Sequence, residues 1–335
     1  MQVVSSDLVL GKKVLLRLDL DVPLRQVGDA RQGTQGHGQF EVIDDFRLKA
    51  GLETVYLCLE HAKQVIIMGH IGRPMGREVP ELSVKPIYGW FLSQGLAPHL
   101  EGGRLKLLEN LRFEEGEEKA DLGYAKELAK YGDFFVNEAF ASFHPAASTT
   151  VLPTLLPHAA GLHFAKEVEK LTKIRINPHH PLVVIVGGAK KEDKIPFIQE
   201  ISKIADQVLV GGKMVSTASN FTANVLVATL NEDGLDITEE TINSWKEIIK
   251  AAGMIVWNGP MGRVEEGKIA GTKAVAEAIS ESWAEVIIGG GDTVGFLAKE
   301  GLLEKFEHQA FISTGGGAML EFLSKGTLPT IEALK

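Results

Sequence analysis

Apolar residues fall along this chain in short, mostly apolar runs, and many of the runs stop at glycine. In the first half they are Val14–Leu18, Gln64–Met68, Leu105–Leu108 and Phe134–Val136. In the second half LVVIVGG, QVLVGG, EVIIGGG and AFISTGGG repeat the pattern, running into Gly187–Gly188, Gly211–Gly212, Gly289–Gly291 and Gly315–Gly317. Runs this short without polar alternation predict strands buried on both faces, as in a parallel sheet. Between them the spacing turns helical. Leu48, Leu52, Val55, Leu59 and Ala62 predict a helix over Phe46–Ala62, Leu122–Tyr131 predicts a second, and Ala147–Leu156 a weaker one. Leu162, Ala165, Val168, Leu171 and Ile174 predict a long amphipathic helix over Ala159–Ile176. It stops at Asn177-Pro178-His179-His180-Pro181, because proline lacks a donor and restricts its predecessor.

Repeated strand–glycine–helix units predict an α/β fold with loops gathered at the carboxyl ends of the strands, where open sheets bind ligands. A length of 335 residues suggests two lobes, and the proline-rich stop places the boundary at the long helix. We expect a first lobe over 1–165, a second over 166–326, and a short tail, 327–335. The polar stretch between Arg25 and Glu41 offers little to bury and is expected as a mobile surface loop. Thirty-six glycines exceed the usual share of about 7%, so the clusters are a signal rather than background. The net charge of −9 speaks against a general nucleic-acid binder. One cysteine, Cys58, excludes an internal disulfide. No signal-like start and no membrane-length apolar run are seen, so the expectation is a cytoplasmic chain with no membrane partner.

Two nucleotide fingerprints fail. Gly262–Ile269 (GRVEEGKI) follows a Walker A run to its lysine, but ends in Ile where a hydroxyl must hold Mg2+. GGGDTVG carries Val294 where the dinucleotide motif needs its third glycine. Anion binding at helix starts fits better. In IGGGDT, Gly290, Gly291 and Thr293 sit where bare backbone amides and a helix terminus favour phosphate. Asp292 reads either as the helix N-cap or as a carboxylate aimed at phosphate-bound Mg2+. STGGG begins another helix the same way. Lys190 and Lys194 in GGAKKEDK are either solvated lysines or phosphate contacts. In the first half Arg47, His70, Arg73 and Arg112 stand just past strands or helix starts; each suits an ion pair, and together they suit an anion pocket. Asp19 and Asp21 in RLDLDVP fall on one side and read as a capped strand end or as acceptors for substrate hydroxyls.

Taken in order, RLDLDVP, DDFRLKAG, GHIGRPMG, LKLLENLRFEEGEE, FFVNEAFASFH, VGGAKKEDKI, VWNGPMG, IGGGDT and STGGGAMLEFL resemble the phosphoglycerate kinase family, from about Lys12 to Leu334. The resemblance implies two lobes, each a three-layer αβα sandwich with a mainly parallel Rossmann-like sheet, joined by the long connector helix and a hinge. It implies a glycolytic phosphotransferase that moves a phosphoryl group reversibly between 1,3-bisphosphoglycerate with ADP and 3-phosphoglycerate with ATP. By matching position, Asp19, Asp21, Arg47, His70, Arg73 and Arg112 belong to the acid-substrate lobe, to which the tail 327–335 returns. Gly188, Lys194, Gly212, Asn258, Glu265, Gly290, Gly291, Asp292 and Thr293 belong to the nucleotide lobe, with Glu265 near the ribose and Asp292 at Mg2+. Arg47, Lys190, Gly315 and Gly316 would surround the transferred group. The resemblance further implies action as a monomer.

The chain is short for that family, with connections trimmed between Gln94 and Leu105 and between Asn220 and Val225. Pro145, in HPAA, stands where the family pattern has an arginine on the substrate phosphate. Losing one charge-assisted contact costs about 1.5–3 kcal/mol, and Arg25, Arg31, Arg77 and Lys166 are the cations available to compensate. Asp21 replaces an asparagine, and Lys213 replaces the third glycine of a turn beside the base. These changes leave open a kinase of the same fold for another small acid, or a non-catalytic nucleotide-binding module.

Overall fold

The glycine-terminated apolar runs are strands of one parallel sheet, and the runs of the first half belong to another. The computed structural model describes residues 1–27, 39–188, 194–217, 221–306 and 308–335. It divides into one unit of Met1–Val168 with Leu328–Lys335 and a second of Glu169–Thr327.

In the first unit, β1 (Lys13–Arg17) is followed by a two-stranded hairpin, β2 (Leu24–Val27) and β3 (Gln39–Val42). Then come β4 (Gln64–Met68), β5 (Leu105–Leu107), β6 (Phe134–Asn137) and β7 (His158–Ala160). The sheet order is β5–β4–β1–β6–β7, all parallel, with Leu16 opposite Ile67 on one side and Val136 on the other. The second unit contains β8 (Leu182–Val186), β9 (Gln207–Val210), β10 (Val225–Val227), β11 (Met254–Asn258), β12 (Glu285–Gly289) and β13 (Ala310–Ser313). Their order is β10–β9–β8–β11–β12–β13, again all parallel.

Helices cover the sheets, which is why the central strands carry no polar alternation. All five residues of β8 and all five of β11 are buried, including the whole of Trp257. Each such side chain contributes roughly 1.5–3 kcal/mol of burial energy. In the first unit Cys58 is part of the same apolar packing, and burial pushes its thiol up to about 12. The tail is anchored rather than loose, with Leu328, Ile331 and Leu334 buried.

Four expectations are corrected. The segment Phe46–Ala62 is two helices, Phe46–Ala50 and Leu52–His61, meeting at Gly51, where a Cβ would lie 2.8 Å from Leu18 Cδ2. The long helix begins at Leu162, not Ala159, because Ala159 and Ala160 extend as edge strand β7. Gly161 makes the turn, and the Glu138 carboxylate accepts from the His163 and Phe164 amides, both at 3.0 Å, capping the helix start. Both ends of the polar segment Arg25–Glu41 are strands, with Arg25 paired to Glu41 by backbone register and by a side-chain ion pair; residues 28–38 lie outside the described residues. The weak helix over Ala147–Leu156 is a π turn, Ala147–Val151, followed by a 3-10 turn, Leu152–Thr154. Between β9 and β10 the described residues carry only a 3-10 turn, Gly212–Thr217, rather than a full helix.

Candidate active site

In the first sheet the chain leaves β1 toward β4 on one side and returns to β6 on the other. The crevice of an open α/β sheet opens at that reversal, beyond the carboxyl ends of the strands. Here the loops after β1, β4 and β5 bring Asp19, Asp21, His70 and Arg112 to one edge, and the helix Phe46–Ala50 adds Arg47. Arg47 Nη1 donates to the Asp21 carbonyl at 2.9 Å and lies 3.7 Å from Asp19 Oδ1. Asp21 Oδ1 accepts from the Gly72 amide at 2.9 Å, and Arg112 Nη1 donates to the Gly72 carbonyl at 2.8 Å. Asp21 thus fixes the loop that carries Arg73. Arg73 itself is exposed.

Cations dominate the electrostatics of this edge around His70. Burial holds His70 well below the usual histidine range, and Arg17, Arg112, Arg47 and Arg73 push it further down, so the ring is neutral. Burial raises the Asp19 carboxyl, against which Arg47 acts in the opposite direction. Asp19 Oδ2 is buried without a partner among the described residues, an acceptor in want of a donor such as a substrate hydroxyl. Pro145 is exposed. Of the possible compensating cations, Arg25 is paired with Glu41 and Lys166 with Glu53, Arg77 is exposed, and Arg31 lies outside the described residues.

In the second sheet the reversal falls between β8 and β11. The two exits are laced together. Gly187 N donates to Asn258 O at 2.9 Å and Gly188 N to Pro260 O at 2.8 Å. A Cβ on Gly187 would lie 2.2 Å from the Pro260 carbonyl oxygen, so only glycine fits. Lys194, buried, donates to the Gly187 carbonyl. After β12 and β13 the helices Gly291–Lys299 and Gly316–Lys325 start directly from glycines, and a Cβ on Gly316 would lie 2.4 Å from Gly290 Cα. Their free amides and dipoles suit anions. Gly188, Gly212, Lys213, Arg263, Glu265 and Asp292, among others, line a cleft at this edge. The helix N-cap is Gly290, with no side-chain cap, so Asp292 is not the cap. It stands exposed in the first turn, and its carboxylate makes no hydrogen bond or ion pair among the described residues.

The phosphoglycerate kinase family profile matches residues 5–233 and 218–326. The chain belongs to the phosphoglycerate kinase family. As a member it is a phosphotransferase, a kinase of glycolysis that uses ATP or ADP as co-substrate. Phosphoglycerate kinase of Herpetosiphon aurantiacus is 36% identical over 394 aligned positions, which cover 97% of this chain and 96% of the relative. With 335 residues this is therefore a compact member of the family. Among solved structures, phosphoglycerate kinase from Pyrococcus horikoshii superposes with a TM-score of 0.80 at 26% identity, covering 100% of this chain and 98% of that one. The enzyme from Coxiella burnetii gives 0.77 at 28% identity, covering 98% and 97%. No described helix is long and apolar enough to cross a membrane.

Against this phosphoglycerate kinase frame, the expected acid-site residues Asp19, Asp21, Arg47, His70 and Arg112 gather at one edge of the first unit. Gly188, Gly212, Glu265 and Asp292 line the cleft of the second unit, and Gly290, Gly291, Gly315 and Gly316 form helix starts there. Asn258 faces Gly316, donating to its carbonyl at 3.3 Å. Thr293 is fully buried, and its hydroxyl accepts from the Gly259 amide at 2.8 Å. Lys190 lies outside the described residues. Three residues of the first site escaped the sequence reading: Arg17, Ser148 and Glu117, all buried. Only Arg17 left a signal, as a lone cation closing an apolar strand.

Proposed function

We propose that the first-unit edge binds 3-phosphoglycerate or 1,3-bisphosphoglycerate and that the second-unit cleft binds ATP or ADP with Mg2+. The phosphoryl group then passes between the nucleotide and the substrate carboxylate. The observation that carries this is the convergence of Arg17, Arg47, Arg73 and Arg112 on a neutral, buried His70. So much positive charge at a strand edge has an anionic ligand as its natural counterpart. Asp19, with its unpartnered oxygen, would accept the substrate hydroxyl.

A carboxylate oxygen is already nucleophilic at neutral pH, so no general base is needed. What the chain must supply is alignment and positive charge on the equatorial oxygens. Arg47, Lys190 and the amides of Gly315 and Gly316 are assigned that part, while Lys194, Gly188, Gly212, Asn258, Gly290, Gly291 and Thr293 shape the nucleotide site. Glu265 is assigned to the ribose. The unpaired, exposed Asp292 fits Mg2+, which typically takes one carboxylate and completes its shell from phosphates and water. When bound, the ion would neutralise charge on the nucleotide phosphates.

The test is steady-state turnover of 3-phosphoglycerate with Mg-ATP. The expected result is saturable ADP formation, with KM raised by the loss of the arginine at Pro145. Lys190→Ala should lower kcat far more than it weakens nucleotide binding. Nucleotide binding without turnover would overturn the assignment.

A further inference from the structure

Arg17 is a charged side chain with almost no contact with solvent, 1% exposed at the end of β1. Each of its three side-chain nitrogens donates one hydrogen bond. Nη1 donates to the Leu18 carbonyl at 2.6 Å, Nε to Ser148 Oγ at 3.1 Å, and Nη2 to His70 Nδ1 at 2.7 Å. Behind Ser148 stands Glu117, also 1% exposed. Glu117 Oε1 accepts the Ser148 hydroxyl at 2.5 Å and Oε2 accepts the Ser148 amide at 3.0 Å. A buried carboxylate is thus wired to an imidazole through one hydroxyl and one guanidinium.

The order of donors has a chemical consequence. Glu117 takes the Ser148 proton, so the Ser148 lone pair is left for Arg17 Nε. A guanidinium can only donate, so His70 Nδ1 must be an acceptor. In the neutral ring the proton then sits on Nε2. Among the described residues, Nε2 makes no hydrogen bond. None of Glu117, Ser148 or Arg17 is exposed enough to reach a ligand itself.

We propose that Glu117 and Ser148 are positioning residues for acid-substrate binding, which through Arg17 fix His70 as the Nε2–H tautomer, ready to donate to an anionic oxygen of the substrate. This rests on assigning the first-unit edge to the acid substrate. It differs in sign from a plain counter-charge role. If Glu117 merely offset Arg17, removing its charge would make the anion site more positive and lower the substrate KM. If it positions, removal frees the fork and raises KM.

Ser148→Ala and Glu117→Gln in the full chain separate these. Turnover is followed with 3-phosphoglycerate and with Mg-ATP as the varied substrate, and the His70 ring nitrogens are followed by 15N NMR. Both variants should raise the 3-phosphoglycerate KM about tenfold, the lower end of what a hydrogen bond to a charged group contributes. Both kcat and the nucleotide KM should stay within about twofold, since the perturbation is confined to binding of one substrate. Wild type should show Nε2–H alone, and the variants a tautomer mixture. An unchanged or lowered KM in Glu117→Gln, or a wild-type ring already mixed, overturns the proposal. So does a parallel loss of kcat, both KM values and thermal midpoint, which marks a purely structural pair. If Ser148→Ala does not fold, Glu117→Gln and the wild-type NMR decide. Failure of wild type to turn over 3-phosphoglycerate would instead overturn the site assignment.

Discussion

Thr293→Val isolates one hydrogen bond beneath the nucleotide cleft. Thr293 is fully buried in the first turn of the helix Gly291–Lys299, and its hydroxyl accepts the Gly259 amide at 2.8 Å. Gly259 has φ +98°, and a Cβ there would lie 2.3 Å from the Gly187 carbonyl oxygen, so its turn cannot shift to find another acceptor. Valine keeps the shape of threonine and opens no cavity. The cost is therefore that of one buried, unsatisfied amide, about 1–3 kcal/mol. At about 2–4 °C per kcal/mol for a unit of this size, a loss of ~2 kcal/mol lowers its melting midpoint by about 4–8 °C. Thr293→Ser keeps the oxygen and should lose only a methyl group's burial, about 1 kcal/mol. Thermal melts, with ADP affinity measured alongside, provide the assay. A Thr293→Val midpoint equal to wild type would refute the reasoning. An unchanged midpoint with weakened ADP binding would show that the hydroxyl serves the ligand directly, contrary to its burial.

Asp292→Asn should leave the melting midpoint unchanged, because among the described residues the carboxylate has no partner to lose, while raising the Mg2+ concentration needed for half-maximal turnover. His70 should show no NMR titration near its ordinary value of 6.5, since burial and four arginines hold it well below. Its folded-state value is depressed, so the stability it contributes is complete above 6.5 and is lost as pH falls below that toward the folded value. A His70→Gln variant should therefore lose less stability on acidification than wild type, as read by denaturant unfolding. Phe135→Ala, emptying a fully buried site in the middle of β6, should cost about 3–5 kcal/mol and unfold the first unit at lower denaturant.

The central strands were legible because burial on both faces leaves a continuous apolar signature, as in LVVIV and in the VII of EVIIG. The edges were not. His158–Ala160 has only three residues, two of them alanine, and pairs through its backbone. The hairpin of Leu24–Val27 with Gln39–Val42 also pairs through main-chain groups, while its polar side chains read as loop. At the site, cations and glycines past strand ends marked both ligand edges, because ligand chemistry restricts which residue types can stand there. The wiring behind His70 was invisible. Ser148 lies 131 residues from Arg17 and 31 from Glu117, and nothing in a serine or a glutamate foretells such a meeting. Asp292 shows a different limit. Sequence left both a cap and a metal ligand open for Asp292, and only the backbone, with Gly290 at the N-cap, removed the first of the two.

The first unit is made of two separated segments, Met1–Val168 and Leu328–Lys335, and the second occupies the sequence between them. On a ribosome this reverses the usual order of maturation, in which the N-terminal domain folds first. The second unit has every residue of its own by the time Thr327 is made. The first must wait, with the places of Leu328, Ile331 and Leu334 unfilled, until those residues have been added. Premature termination near Gly326 would therefore damage the half of the protein that was synthesised earliest. A nascent chain of this kind depends on how soon residues 328–335 follow the second unit, and on whatever shelters an unfinished core until they arrive.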